Sequence, residues 1–226
     1  SVSSFKPGPY ESDFKCVDTL INDLNIGNSA IVSACLNQLD LGTKRYQRIG
    51  HVVDGQILEI NMYILLTDGN NQAVNEDLLH WVVVFDHQNN NNAFGTNDLF
   101  ETVDFRGTVA HLSTGFLKKE NRDRFTVIED NTVMLSRTAQ NGANPVTFPE
   151  NTDMNGSGQQ QTYCVKKQYD LSGLRTVYSN SGSTPGYLDI MSGGLYLVNY
   201  GNQTQVGQSN YIMRGYARYH FSDVYN

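Results

Sequence analysis

The residues of this chain that could do chemistry are scattered rather than grouped. Five histidines, His51, His80, His87, His111 and His220, share no HExxH or other paired metal spacing, and no local Cys/His signature completes a zinc ligand set. Each reads as a structural or solvent-facing imidazole, and no metal site or cofactor is expected. Cys16, Cys35 and Cys164 are odd in number and none lies in a CxxC pair, so a disulfide framework is disfavoured and a reducing compartment fits better. There is no GxSxG elbow, no P-loop and no GxGxxG leading into a helix. Catalysis therefore has no local signature, and a triad assembled from remote residues is the route that sequence leaves open. Two glycosylation sequons, at Asn155 and Asn202, are short enough for chance to explain.

The alternation near the C-terminus carries more. Tyr211, Met213, Gly215, Ala217, Tyr219 and Phe221 fall on one side of an extended segment, and Ile212, Arg214, Tyr216, Arg218 and His220 fall on the other. Cations alternating with aromatics on a sheet face can grip phosphates and stack bases. The same face can equally make a polar contact with another subunit. Three other basic groups, Lys44-Arg45 with Arg48, Lys118-Lys119 with Arg122 and Arg124, and Lys166-Lys167, read as solvated loop charges.

A chain of 226 residues is one large domain or two small ones, long enough to bury roughly 70% of its unfolded surface without metal or disulfide staples. Sixteen Lys and Arg against 23 Asp and Glu leave a net charge of -7. The 24 Asn and 13 Gln, with 20 Gly, 13 Tyr and 17% charged residues, describe a β-protein rich in turn formers, not a coiled coil or an acidic disordered chain. No apolar run reaches the 18 residues of a transmembrane helix, and residues 1–9 lack the pattern of a signal peptide.

The strongest periodicity is Leu58, Ile60, Met62, Ile64 and Leu66 at spacing two, a half-buried strand closed by Asp68-Gly69. Residues 81–85, Trp-Val-Val-Val-Phe, are apolar on both faces and predict a central strand, followed by an asparagine tip at 89–92. Further strands are expected at 14–20, 31–36, 124–137, 163–169, 174–178, 195–200 and 211–221, most of them separated by Asn-Gly, Pro-Gly or Gly-Gly turns. Thr96 or Asn97 can cap one short helix, with Leu99, Phe100 and Val103 on one side. About eight to ten strands and almost no helix read as a single all-β sandwich or barrel over residues 1–226. The connection 139–161, with two prolines, two Asn-Gly pairs and a Gln triplet, is expected to protrude as a surface loop.

An ordered series of short motifs runs through the first half of the chain. Glu11, Lys15 and Asp18 lie around the first strand, followed by Leu36-Asn37, Gly42-Thr43 and Arg48-Ile49-Gly50. Val82-Val83-Val84-Phe85-Asp86-His87-Gln88 comes next, and then the run from Asn121-Arg122-Asp123-Arg124 to Asp130. Over residues 9–137, and loosely through the last strand, this resembles the capsid proteins of small circular Rep-encoding single-stranded DNA viruses, the group of circoviruses and geminivirus-like agents. His51-Val52 stands where that family often has a basic residue.

The resemblance implies a single jelly roll, an eight-stranded antiparallel β-sandwich with long loops and at most one or two short helices. It implies no enzymatic activity. The expected partners are copies of the chain itself in an icosahedral shell, and a viral genome of single-stranded DNA. The expected location is the virion, assembled in the host cell with the nucleus as the expected compartment, and with no membrane. A basic arm is expected before Ser1. Because the first and last strands of a jelly roll pair, the resemblance also places Lys15 beside Arg214, Tyr216, Arg218 and His220 as a nucleic-acid-binding group.

Three other readings share the composition. A small or satellite RNA virus capsid uses the same jelly roll. A trimeric jelly-roll protein that binds a receptor or glycan would share the loops and aromatics but would not need the motif order. A β-sandwich hydrolase would require acidic or histidine side chains converging in a cleft.

Overall fold

The computed structural model describes residues 15–26, 31–66, 76–101, 117–136, 162–179, 189–201 and 211–224. These form ten strands: β1 (Lys15–Ile26), β2 (Ile31–Cys35), β3 (Val52–Leu66), β4 (Glu76–Asp86), β5 (Phe125–Ser136), β6 (Thr162–Asp170), β7 (Arg175–Tyr178), β8 (Ile190–Ser192), β9 (Gly194–Gly201) and β10 (Tyr211–Asp223). One sheet runs β1-β10-β3, and the far edge of β3 then pairs with β7 through Val52–Asp54 and with β6 through Ile57–Leu65. The second sheet runs β2-β9-β4-β5, and all pairings between strands are antiparallel. The order 1-10-3-6 facing 2-9-4-5 is the jelly-roll arrangement, with the short β7–β8 pair added to the first sheet.

Alternation drives the packing. Leu58, Ile60, Met62 and Ile64 of β3 are buried, as are Tyr211, Met213, Ala217, Tyr219 and Phe221 of β10. Each such aliphatic or aromatic side chain contributes about 1.5–3 kcal/mol on burial. From the second sheet, Trp81 faces them and lies against the ammonium of Lys167, which stands 5.6 Å from the ring centroid.

The central strand β4 is buried on both faces, as its apolar run requires. The connection after β4 covers the face that turns away from the core: Phe94 packs edge-on against Tyr196 and Phe125, and Phe100 against Tyr200. That connection carries helix α1 (Thr96–Leu99), a single turn. The helix stops earlier than expected because Phe100 leaves it to bridge Leu117.

The asparagine tip is not a loose end. Asn90 and Asn91 adopt positive φ of 48° and 60°, and their amides donate to the carbonyls of Met191 and Ile190. This docking accounts for β8, which was not expected from sequence because three residues carry no period. Between β8 and β9, Gly193 has φ of 80°, and a Cβ there would stand 2.8 Å from Phe85 Cζ and 2.9 Å from Thr176 Cα. Only glycine fits that reversal. The 139–161 connection, the sequons and Val103 lie outside the described residues.

Candidate nucleic-acid interface

Strand register arranges the outer face of the first sheet in rows. Asn22, Arg214, Tyr63 and Cys164 form one row across β1, β10, β3 and β6; Leu20, Tyr216, Asn61 and Lys166 form the next. Then follow Asp18, Arg218, Glu59 and Gln168, and finally Cys16, His220, Ile57 and Asp170. The face is open: Tyr216 is 60% exposed and its neighbour Leu20 59%.

The two rows nearest the end of β10 are electrostatically closed. Arg218 donates to Asp18 through Nε at 2.6 Å and Nη2 at 2.8 Å, a bidentate cross-strand pair. The Arg218 hydrogen bond holds the Asp18 carboxyl below its ordinary range, and the Asp18 carboxylate raises Arg218 in return. His220 Nε2 lies 3.4 Å from Glu59 Oε2.

Because the Asp18 pKa is depressed in the folded state, the pair's contribution is present above the unfolded carboxylate range, about pH 4, and is lost as pH falls through the lowered value. Both partners are about half exposed, so Arg218→Ala is expected to cost under about 1 kcal/mol in urea unfolding at neutral pH, with the difference from wild type vanishing in acid. A loss above about 2 kcal/mol would refute this.

Lys15 does not join this face, contrary to the adjacency implied by the resemblance. It pairs with Phe221, whose side chain points into the core, and so has the opposite parity to Arg214, Tyr216, Arg218 and His220. Its ammonium is engaged at the end of the sandwich, 2.7 Å from Asp223 Oδ2 and 2.9 Å from the Gln47 carbonyl. Strand pairing places residues side by side, but parity decides which surface they reach.

The other two rows are open. Among the described residues Arg214 has no carboxylate partner, and its Nε is buried without an acceptor. Lys166, exposed on β6, has no ion-pair partner among the described residues either, whereas its neighbour Lys167 points inward and binds Glu129 at 2.5 Å. By sequence alone Lys166 belongs with Lys167 as loop charge, and nothing singles out Tyr63. A signal existed in the period-two pattern of residues 163–169, but only the register with β3 sets Lys166 beside Asn61.

Several motif residues prove to be architectural. Arg48 is 1% exposed, donates to the carbonyls of Gly50, Leu39 and Ser179, and stacks 4.5 Å from the Tyr178 ring; burial lowers its pKa. Asp86 is fully buried and receives both arms of Arg124 at 2.9 Å. Asn37 donates to Thr176 Oγ1 at 3.0 Å and the Gly193 carbonyl at 2.8 Å, while its Oδ1 accepts the Leu195 amide at 2.9 Å.

One relay has the form of catalytic machinery: Tyr200 Oη hydrogen-bonds His80 Nδ1, and His80 Nε2 meets Asp130 Oδ1 at 2.5 Å. Burial pushes the Tyr200 hydroxyl upward, the wrong direction for a nucleophile, and Phe100 packs on both rings. It works as a clasp across β5, β4 and β9. Among the described residues no three His, Cys, Asp or Glu side chains are grouped to hold a metal, and Cys16, Cys35 and Cys164 are free thiols. The Cys35 thiol is pushed up to about 12 by burial.

The polar constellations of this two-sheet jelly roll clamp its loops and strands, and the outer face of the first sheet carries exposed side chains. The chain belongs to the geminivirus coat protein/nuclear export factor BR1 family, whose profile matches residues 12–226. No curated protein matches it. It is a viral coat protein of the single-stranded DNA virus type, and the coat family is structural, not enzymatic.

Proposed function

We propose that the protein assembles with copies of itself into a closed icosahedral shell around a circular single-stranded DNA genome, as the subunit of a virion formed in the host nucleus. The observation that carries this reading is the family match over nearly the whole chain, coinciding with a complete jelly-roll strand order. Identical subunits joined by heterologous contacts form closed assemblies when their rotations close. A basic arm upstream of the jelly roll, expected from the resemblance, is proposed as the main source of phosphate neutralisation, since a body at -7 supplies little of it.

The chain expressed with its native upstream sequence is expected to yield uniform shells by electron microscopy, carrying nuclease-protected single-stranded DNA. A species that stays monomeric or trimeric at every salt concentration and pH would overturn the proposal. Shells enclosing only RNA would move it to the satellite-virus reading.

A further inference from the structure

The cations of the first sheet show an asymmetry that the family assignment does not explain. Lys15, Lys167, Arg175 and Arg218 lie in described strands and each meets a carboxylate: Asp223, Glu129, Asp54 and Asp18 respectively. Arg214 and Lys166 have none among the described residues, and both lie on the same face of the same sheet. Between and beside them stand Tyr63 and Tyr216. The four residues occupy two adjacent rows, and no carboxylate of the paired strands falls in either row.

We propose that Arg214, Tyr216, Tyr63 and Lys166 form a binding subsite for single-stranded nucleic acid, and that Arg218 and His220 are excluded from it by their own ion pairs. This rests on the coat-protein reading for its biological ligand, but it is a separate claim about which residues touch the strand. Arg214 and Lys166 sit two strands and one row apart, so their Cα atoms are separated by about 12 Å. A short length of extended backbone spans that distance, with one phosphate at each cation. Arg214 is only partly buried, and a guanidinium is the side chain best suited to a charge-assisted hydrogen bond with a phosphate oxygen.

Tyr216, 60% exposed between the two cations, offers a ring for an unpaired base. A duplex presents no free base face to such a ring, so the occupant is single-stranded. Two cations and two rings make a weak site alone. Repetition over a shell makes many such sites act together on one genome.

The test uses the whole chain and a fluorescent 20-nucleotide oligo(dT), with binding followed by anisotropy over a salt series and subunit state followed by light scattering. For Arg214→Gln with Lys166→Gln, the slope of log affinity against log salt is expected to shrink by about 1.4, the share of two phosphates on a single strand. Tyr216→Ala is expected to weaken binding at least about fivefold with the slope unchanged. Arg218→Gln combined with Asp18→Asn is expected to leave affinity within about twofold, because the ion pair is removed together and the net charge of its row is unchanged. Iodouridine-substituted oligonucleotide should photocrosslink to the peptide containing Tyr216. Thermal melts check that each variant is folded, and Arg214→Lys should keep the slope where Arg214→Gln loses it.

Equal losses for Arg214→Gln and for Arg218→Gln combined with Asp18→Asn, or no loss for Arg214→Gln with Lys166→Gln, overturn the subsite. So does loss of assembly with oligonucleotide binding by the free subunit intact, which would make the face a contact between copies. If the wild type forms shells but binding ignores this patch, the subsite fails while the coat reading stands. If binding depends on the patch but no shell forms under any condition, the coat reading fails and the subsite stands.

Discussion

Arg124→Ala is expected to destabilise the protein by about 3–5 kcal/mol, because it strands a carboxylate with no access to water. The Asp86 side chain is 0% exposed and its charge is balanced by the two-armed contact from Arg124, itself stacked 4.9 Å from Phe125 and 3.6 Å from Asp98. The Gln88 amide supplies a further hydrogen bond to Asp86 at 3.0 Å, too little to hold a buried charge alone. For a domain of this size the loss corresponds to a melting temperature lower by about 6–20 °C.

Arg124→Lys keeps the charge but not the fork and should fall between. Replacing both partners with leucine should recover much of the loss, since removing the pair together leaves no orphan. Thermal and urea unfolding of the four proteins decides it. An Arg124→Ala variant within about 1 kcal/mol of wild type would show that Asp86 needs no partner.

Asn37→Ala is expected to cost about 3 kcal/mol or more, by a different route. Asn37 is 0% exposed and ties the end of β2 to both neighbouring layers: to β7 through Thr176, to the β8–β9 reversal through Gly193, and to β9 through the Leu195 amide. Its own carbonyl accepts Tyr178 Oη at 2.6 Å. Truncation leaves the Leu195 N–H buried without its partner and opens a cavity.

Asn37→Asp is close in shape but turns the donor side into a charged acceptor facing the Gly193 carbonyl, so it should be worse than alanine near neutral pH. Equal stabilities for wild type and both variants in chemical denaturation would remove the claim that this side chain is the clasp of that end of the sandwich.

The motif residues show how much was legible and at what level. Their order pointed to the family, and the family profile agrees over residues 12–226. Their roles were not legible, because Asn37, Arg48, Asp86 and Arg124 act mainly through partners far away in the chain, as many as 158 positions for Asn37 and Leu195. The His80 clasp is the same case: no local spacing announces Tyr200 and Asp130, which meet only because β4 lies between β9 and β5. The long strands β3 and β4 begin earlier than the periodicity suggested. Polar residues such as Glu76, Asp77, Asp54 and Gln56 blur an alternation that the backbone ladder continues through.

The all-β class, most of the strand positions and the two-faced character of β10 were determined by local sequence. Period-two alternation, β-branched runs and turn residues act over a few residues and leave their mark in composition and order. Which of the described cations meet a carboxylate was decided only by the tertiary structure. Arg214 and Arg218 are four residues apart on one strand with the same parity, yet one meets Asp18 of β1 and the other meets Asn22 there. Lys15 pairs with the same strand and still belongs to another surface. A side chain's charge is a property of the residue, but its compensation depends on what the neighbouring strand brings opposite it, and that is set by register across about 200 residues of chain.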